Sequence, residues 1–128
     1  MKKIVQFIMV ASTGLLFTSC YYDELPQEPV PANVTLHTDV QKIFERNCVG
    51  CHKGAANTAP NLTAANAYTS LTTELNGETF VIPGDASASI LYQAMTGNGA
   101  PQMPPNGALS SSKLKIVEKW INDGALNN

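Results

Sequence analysis

The sequence predicts an all-α fold for a small domain occupying most of the 128-residue chain. Apolar residues recur at helical spacing before residue 48 and again after Ser110, each set forming one stripe along a helix. Between them the chain is punctuated by Pro, Gly and Asn. No run of alternating residues makes a strand, residues 79–82 coming nearest. There is no internal repeat.

Residues 1–19 have a different build. Lys2 and Lys3 are followed by a broken apolar run, then by Leu15, Leu16, Phe17, Thr18 and Ser19 before Cys20. A positive start, an apolar middle and a small-residue exit make a secretory signal peptide. Interrupted by Ser12, Thr13 and Gly14, the apolar run falls short of the roughly 18 residues a membrane span needs. The exit resembles the lipobox at which bacterial signal peptidase II cuts and a Cys receives diacylglycerol, with Phe17 standing where an aliphatic residue is usual. An ordinary signal peptide with a Cys near its end is the alternative. Lipidation of Cys20 predicts a protein anchored to a membrane, since each buried methylene contributes about 0.8 kcal/mol. Residues 20–36 carry three prolines and no helical or strand period, and they read as an extended tether.

Residues 37–128 form the predicted domain, which is small enough that a large apolar cofactor would relieve a modest core. A first helix is expected over 39–48. Thr38 and Gln41 make a capping box there, and Val40, Ile43, Phe44 and Cys48 make one stripe. A second, weakly marked helix covers 64–72. A third is expected over 86–96, after a Pro83-Gly84-Asp85 turn, with Ile90, Leu91, Ala94 and Met95 on one side. The last begins after Ser110 as N-cap, buries Leu114, Val117, Trp120 and Ile121, and stops at Gly124. Removing residues 1–19 leaves six basic and ten acidic residues, a net charge of −4, with Asp23, Glu24 and Glu28 in the tether. The domain itself is near neutral and offers no basic surface for nucleic acid.

The chemistry is carried by Cys48-Val49-Gly50-Cys51-His52. The spacing C-x-x-C-H is the attachment signal for a c-type haem. Two thiols one helical turn apart can reach two vinyl groups of a porphyrin, and the next residue brings an imidazole beneath the ring. Three other readings compete. A zinc site needs more ligands, and His37 is the one further His, with no Cys after position 51. A thioredoxin-type redox pair belongs beside a βαβ pattern, which is absent. A plain structural disulfide would be strained by its short loop. The cysteine count favours haem: one for lipid and two for the porphyrin.

Residues 37–128 resemble the class I c-type cytochromes, specifically their short bacterial lipoprotein or periplasmic forms. Four segments carry the resemblance in order: the helix entering Cys48-x-x-Cys51-His52; Ala59-Pro60-Asn61-Leu62, similar to a Gly-Pro-x-Leu segment; Gln102-Met103-Pro104-Pro105, similar to a Met-Pro-Pro distal loop; and the closing helix from Leu109 to Ala125. Ala59 stands where the family has Gly. The resemblance implies a small cytochrome c-like helical domain wrapped around one covalent haem c on Cys48 and Cys51. It implies His52 as one axial ligand, with the Pro60 carbonyl accepting from its Nδ1–H and so fixing the tautomer and raising ligand basicity. Met103 is the expected second ligand. Met95 is its rival, but a Met on a helical stripe usually packs a core; His37 precedes the helix leading to the other side. Phe44 and Trp120 are expected to meet where the first and last helices cross. Tyr92 either reaches a haem propionate or covers the core.

An iron with both axial positions filled by protein moves electrons and does little chemistry of its own. The expectation is therefore an electron carrier, not an enzyme: a monomer tethered in the bacterial cell envelope, exchanging electrons with a redox protein donor and acceptor. Tyr21 stands after Cys20 where an inner-membrane retention Asp would be, and Asp23-Glu24 faintly resembles a surface-export signal, so the outer membrane is favoured. The alternatives are a fixed haem relay within a larger enzyme complex, and an open-iron sensor or peroxide-reactive protein if Met103 is not a ligand.

Overall fold

In the computed structural model of the chain, the described residues are 29–54 and 59–128. The signal segment, Cys20 and the tether as far as residue 28 lie outside them. A π-helical turn, Leu36–Val40, runs directly into α1 (Gln41–Asn47); α2 (Ala67–Thr72), α3 (Ile90–Thr96) and α4 (Ser111–Asn122) follow. Among the described residues there is no strand. Two isolated bridges, Leu75 with Glu78 and Ile82 with Asp85, are the whole of the β-pairing there.

The first helical segment starts earlier than its capping-box pattern suggests. Thr35, not Thr38, is the N-cap: its backbone is extended, and its hydroxyl accepts from the Thr38 N–H at 3.2 Å. Asp39 closes the turn, accepting from the Thr35 N–H at 2.9 Å and from the Thr38 hydroxyl at 2.9 Å. Leu36, Val40, Ile43 and Phe44, at i, i+4, i+7 and i+8, then share the buried face. The folded body accordingly begins before residue 37. Val34 and Leu36, assigned by sequence to the tether, are buried in the core, because Thr35 between them caps the helix.

The chain's far end closes this start. The Leu36 N–H donates to Asn128 Oδ1 and the His37 N–H to the Asn128 carbonyl, both at 2.9 Å. Two of the four donors that a helix start leaves without partners are thereby satisfied. At the opposite end, Lys113 at the start of α4 donates to Asn47 Oδ1 at 3.2 Å. The first helical segment is thus tied at its start to the chain beyond α4 and at its end to the start of α4. Phe44 and Trp120 both belong to the cluster buried between the elements, with Leu71, Val81, Val117 and Ile121. Each such side chain contributes about 1.5–3 kcal/mol on burial, and the Trp120 indole keeps its hydrogen bond by donating to the Leu126 carbonyl at 2.9 Å. α4 matches its expected span. Ser110 stands at the N-cap, and Gly124, at φ +105°, follows its end.

Two middle helices are shorter than expected, for the same reason. Before α2, Asn61 Oδ1 accepts from the N–H and hydroxyl of Thr63, so the chain turns where a helix would begin. Before α3, Asp85 Oδ1 accepts from Ser87 and Ala88, and the buried Ser89 hydroxyl donates to the Asp85 carbonyl at 2.7 Å. Short polar side chains thus take backbone partners that a helix would have used. Residues 79–82 are not a strand but a strap across the helices. The Val81 N–H donates to Leu71, and the Leu91 N–H to Phe80.

The hydrogen bond from the Thr35 backbone, the threonine hydroxyls and the nearby Lys42 charge hold the Asp39 carboxyl below its ordinary range, against an opposing effect of burial. A folded-state value below the unfolded one adds stability that is present at neutral pH and lost as pH falls through the folded value. Asp39→Asn is therefore expected to lower Tm at pH 7. The gap to wild type should close as the pH drops below about 4, the ordinary carboxylate value. Thermal unfolding across pH 3–7 checks this, and a gap independent of pH would contradict it.

Candidate haem-binding site

A cavity of about 690 Å³ opens beside the C-terminal end of α1, within the roughly 300–1,000 Å³ range of cofactor sites. Its walls are mostly apolar: Pro60 and Leu62 from one loop, Phe80 from the strap, Ile90, Leu91 and Met95 from α3, and Leu109 ahead of α4. Cys48, Cys51, His52 and Met103 line it together. The sequence separates these four by up to 55 residues, and the fold brings them to one space.

The end of α1 explains the placement of the first three. The Cys48 and Val49 N–H groups both donate to the Phe44 carbonyl, ending the helix. The N–H groups of Cys51 and His52 then donate to the Cys48 carbonyl at 3.1 and 2.9 Å. This curls the motif into a compact turn at the cavity edge. The thiols are free, Cys48 half-buried and Cys51 exposed. Burial pushes the Cys48 thiol up, only partly opposed by the Lys113 charge. There is no strand among the described residues, and so no βαβ unit of the kind beside which a thioredoxin-type pair sits. Among the described residues, no cluster of three or more His, Cys, Asp or Glu side chains is arranged to hold a metal ion.

His52 is fixed by backbone on two sides. Its carbonyl accepts from the Leu62 N–H at 2.8 Å, and its Nδ1 lies 3.1 Å from the buried Pro60 carbonyl oxygen. A carbonyl can only accept, so Nδ1 carries a proton, and in the neutral ring Nε2 is the nitrogen with the lone pair. The contact expected of Pro60 is present, with Ala59 in place of Gly.

Met103 is delivered by a loop that doubles back on α3. Gly97, at φ +69°, ends the helix in the left-handed region. The Met103 N–H then donates to the Ala94 carbonyl at 2.8 Å, and Gln102 Nε2 to the Met95 carbonyl at 3.1 Å. Two carbonyls at the helix end are satisfied by the loop that carries Met103. Met103 and Met95 both line the cavity, but they differ in freedom. Met103 keeps 39% of its surface exposed, whereas Met95, at 3%, is already enclosed by the core. Tyr92 does not line the cavity. It lies against Glu118 of α4, where burial first and that carboxylate second push its phenol up. It covers the core. His37 stands exposed at the first helical turn and is not among the cavity's lining residues.

An apolar cavity, two thiols at its edge, an imidazole with an uncommitted Nε2 and an accessible thioether are the donor set that an attached haem requires. Three polar side chains around the site were not identified by the sequence reading as site residues. Gln41 is buried on the apolar stripe of α1, Ser70 lies on α2, and Gln102 stands beside Met103. A glutamine within an apolar stripe was a visible signal for the first. For the other two the sequence carried none.

Residues 36–121 match the family described as cytochrome c oxidase, cbb3-type, subunit III. Among solved structures, the chain resembles the hydrazine synthase of Kuenenia stuttgartiensis with a TM-score of 0.61 at 22% identity. That likeness covers 73% of this chain but only 16% of the other, and it is a likeness of fold. No curated protein matches the sequence. With the family matched over well more than half of its length and the haem motif turned into an apolar cavity, the chain belongs to the class I c-type cytochromes, in the family described as cytochrome c oxidase, cbb3-type, subunit III.

Proposed function

We propose that this cytochrome is a membrane-tethered, single-haem electron carrier, with haem c held through Cys48 and Cys51 and iron bound by His52 and Met103. The observation that carries the reading is the convergence of those four side chains on one apolar cavity, with the His52 ring proton already committed to Pro60. The group supplies one-electron exchange between ferric and ferrous iron. The protein's own part is to present Nε2 from one side, to hold the Met103 loop against the end of α3, and to exclude water with Leu62, Phe80, Leu91 and Leu109. A soft thioether favours the ferrous state, so His/Met ligation places the potential above that of a bis-His centre.

Residues 20–33, with lipid on Cys20, serve as the tether to the cell-envelope membrane, the outer membrane in the favoured reading. Anchoring raises the effective concentration of the domain near redox donors and acceptors on the same surface. A fixed relay within a larger enzyme is the second reading, favoured by the likeness to a segment making up 16% of a much larger chain. Co-purification of a stoichiometric partner from detergent extracts would select it.

Two outcomes are expected. In the haem-loaded protein, Met103→Ala abolishes the weak near-red band of ferric iron bound to Met sulfur and lets ferrous iron take up carbon monoxide, while Met95→Leu does neither. An unchanged Met103→Ala spectrum would remove Met103 from the coordination sphere. In cells, Cys20→Ser shifts the protein from the membrane to the soluble fraction on sedimentation. Retention in the membrane would overturn the lipid tether.

A further inference from the structure

Pro60 and Asn61 share one peptide group, and both of its ends are held by side chains. Its carbonyl faces His52 Nδ1 at 3.1 Å, and its N–H donates to the Ser70 hydroxyl at 2.7 Å. The group is planar, with carbonyl and N–H pointing in opposite directions. Whatever holds the N–H therefore aims the carbonyl. Ser70 lies on α2, which fixes it relative to the cavity. The next residues are held from the other side. Gln41, only 4% exposed on the stripe of α1, donates through Nε2 to the Leu62 carbonyl at 3.0 Å. The Leu62 N–H in turn donates to His52 at 2.8 Å. A buried amide costs stability unless it is hydrogen-bonded, and this one spends its donor on the loop that faces the imidazole.

We propose that Ser70 and Gln41 are positioning residues that set the reduction potential of the centre by aiming the Pro60 carbonyl at His52. The proposal rests on the reading that His52 binds the iron. Neither residue reaches the cofactor; both act through the Pro60–Leu62 backbone. Ser70 aims the carbonyl directly and, by accepting from the same peptide group, strengthens it as an acceptor. Gln41 keeps the far end of the segment from sliding along α1. A well-aimed carbonyl draws on Nδ1–H, makes Nε2 a stronger donor to iron and stabilises the ferric state. Loosening it therefore raises the potential.

The test compares haem-loaded Ser70→Ala, Ser70→Thr and Gln41→Leu with wild type. Val117→Ala, a core truncation in α4 at a residue that does not line the cavity, serves as a control for lost stability alone. Two quantities are read: the ferrous-to-ferric ratio at a fixed ambient potential, and solvent exchange of the His52 Nδ1–H by NMR. Ser70→Ala and Gln41→Leu are expected to raise the ratio about two- to tenfold, the size expected from weakening one hydrogen bond, and to speed the exchange. Ser70→Thr, which keeps the hydroxyl, should restore both, and Val117→Ala should move neither while lowering Tm. A normal wild-type spectrum with both quantities unmoved in Ser70→Ala would overturn the positioning role. A wild-type spectrum without an imidazole-bound, low-spin iron would instead overturn the His52 assignment, and this proposal with it.

Discussion

The hydrogen bond between His52 Nδ1 and the Pro60 carbonyl is the constraint on which the rest of this structure turns. An imidazole can present either nitrogen, and a free one would not discriminate between them. Tying the proton to a buried carbonyl settles the tautomer and aims the lone pair at one place. Much of the fold can be read as support for that contact. The π-helical turn and α1 place Cys48 and His52, α2 brings Ser70 to the peptide that carries the carbonyl, and Gln41 holds its continuation. The C-terminal part of the chain clamps the start of the π-helical turn through Asn128 and the end of α1 through Lys113.

The two sides of the cavity are held by different means. On the His52 side, the Pro60–Leu62 backbone is held by the Ser70 hydroxyl, the buried Gln41 amide and the His52 carbonyl. On the Met103 side, a proline-rich loop closes on the carbonyls at the end of α3, and the thioether itself remains accessible. A small domain has little core to spare, and here Leu62, Leu91, Met95 and Leu109 belong both to the buried cluster around Trp120 and to the walls of the cavity. An apolar cofactor occupying that space covers those walls. Folding and cofactor retention are then aspects of one energy balance.

How much could be read without the fold depended on how local each signal was. The Cys48–His52 spacing, the Met103-Pro104-Pro105 loop and the span of α4 from its Ser110 cap to Gly124 are local signals; the first two segments line one cavity, and the helix runs over Ser111–Asn122. The first cap was not decidable locally. Thr35 and Thr38 both precede the stripe, and Asn128, 92 residues away, satisfies the Leu36 N–H at the earlier start. Gln41 illustrates the same point: as a residue three after a threonine it fits a capping box, whereas its actual partner is the Leu62 carbonyl. The starts of α2 and α3 were misplaced because Asn61 and Asp85 satisfy backbone donors that helix propensity alone assigns to a helix.

The central claim is that one haem is covalently bound and that its iron is closed on both sides by this chain. The most direct measurement is the visible spectrum of the full-length protein matured with a haem-attachment system, oxidised and reduced, together with a pyridine haemochrome. The account predicts a c-type haemochrome, a low-spin ferric spectrum with the weak near-red band of Met sulfur, and no response to carbon monoxide. A high-spin spectrum that responds to carbon monoxide would contradict closure by Met103, and a chain carrying no covalent haem would contradict the reading of the cavity itself.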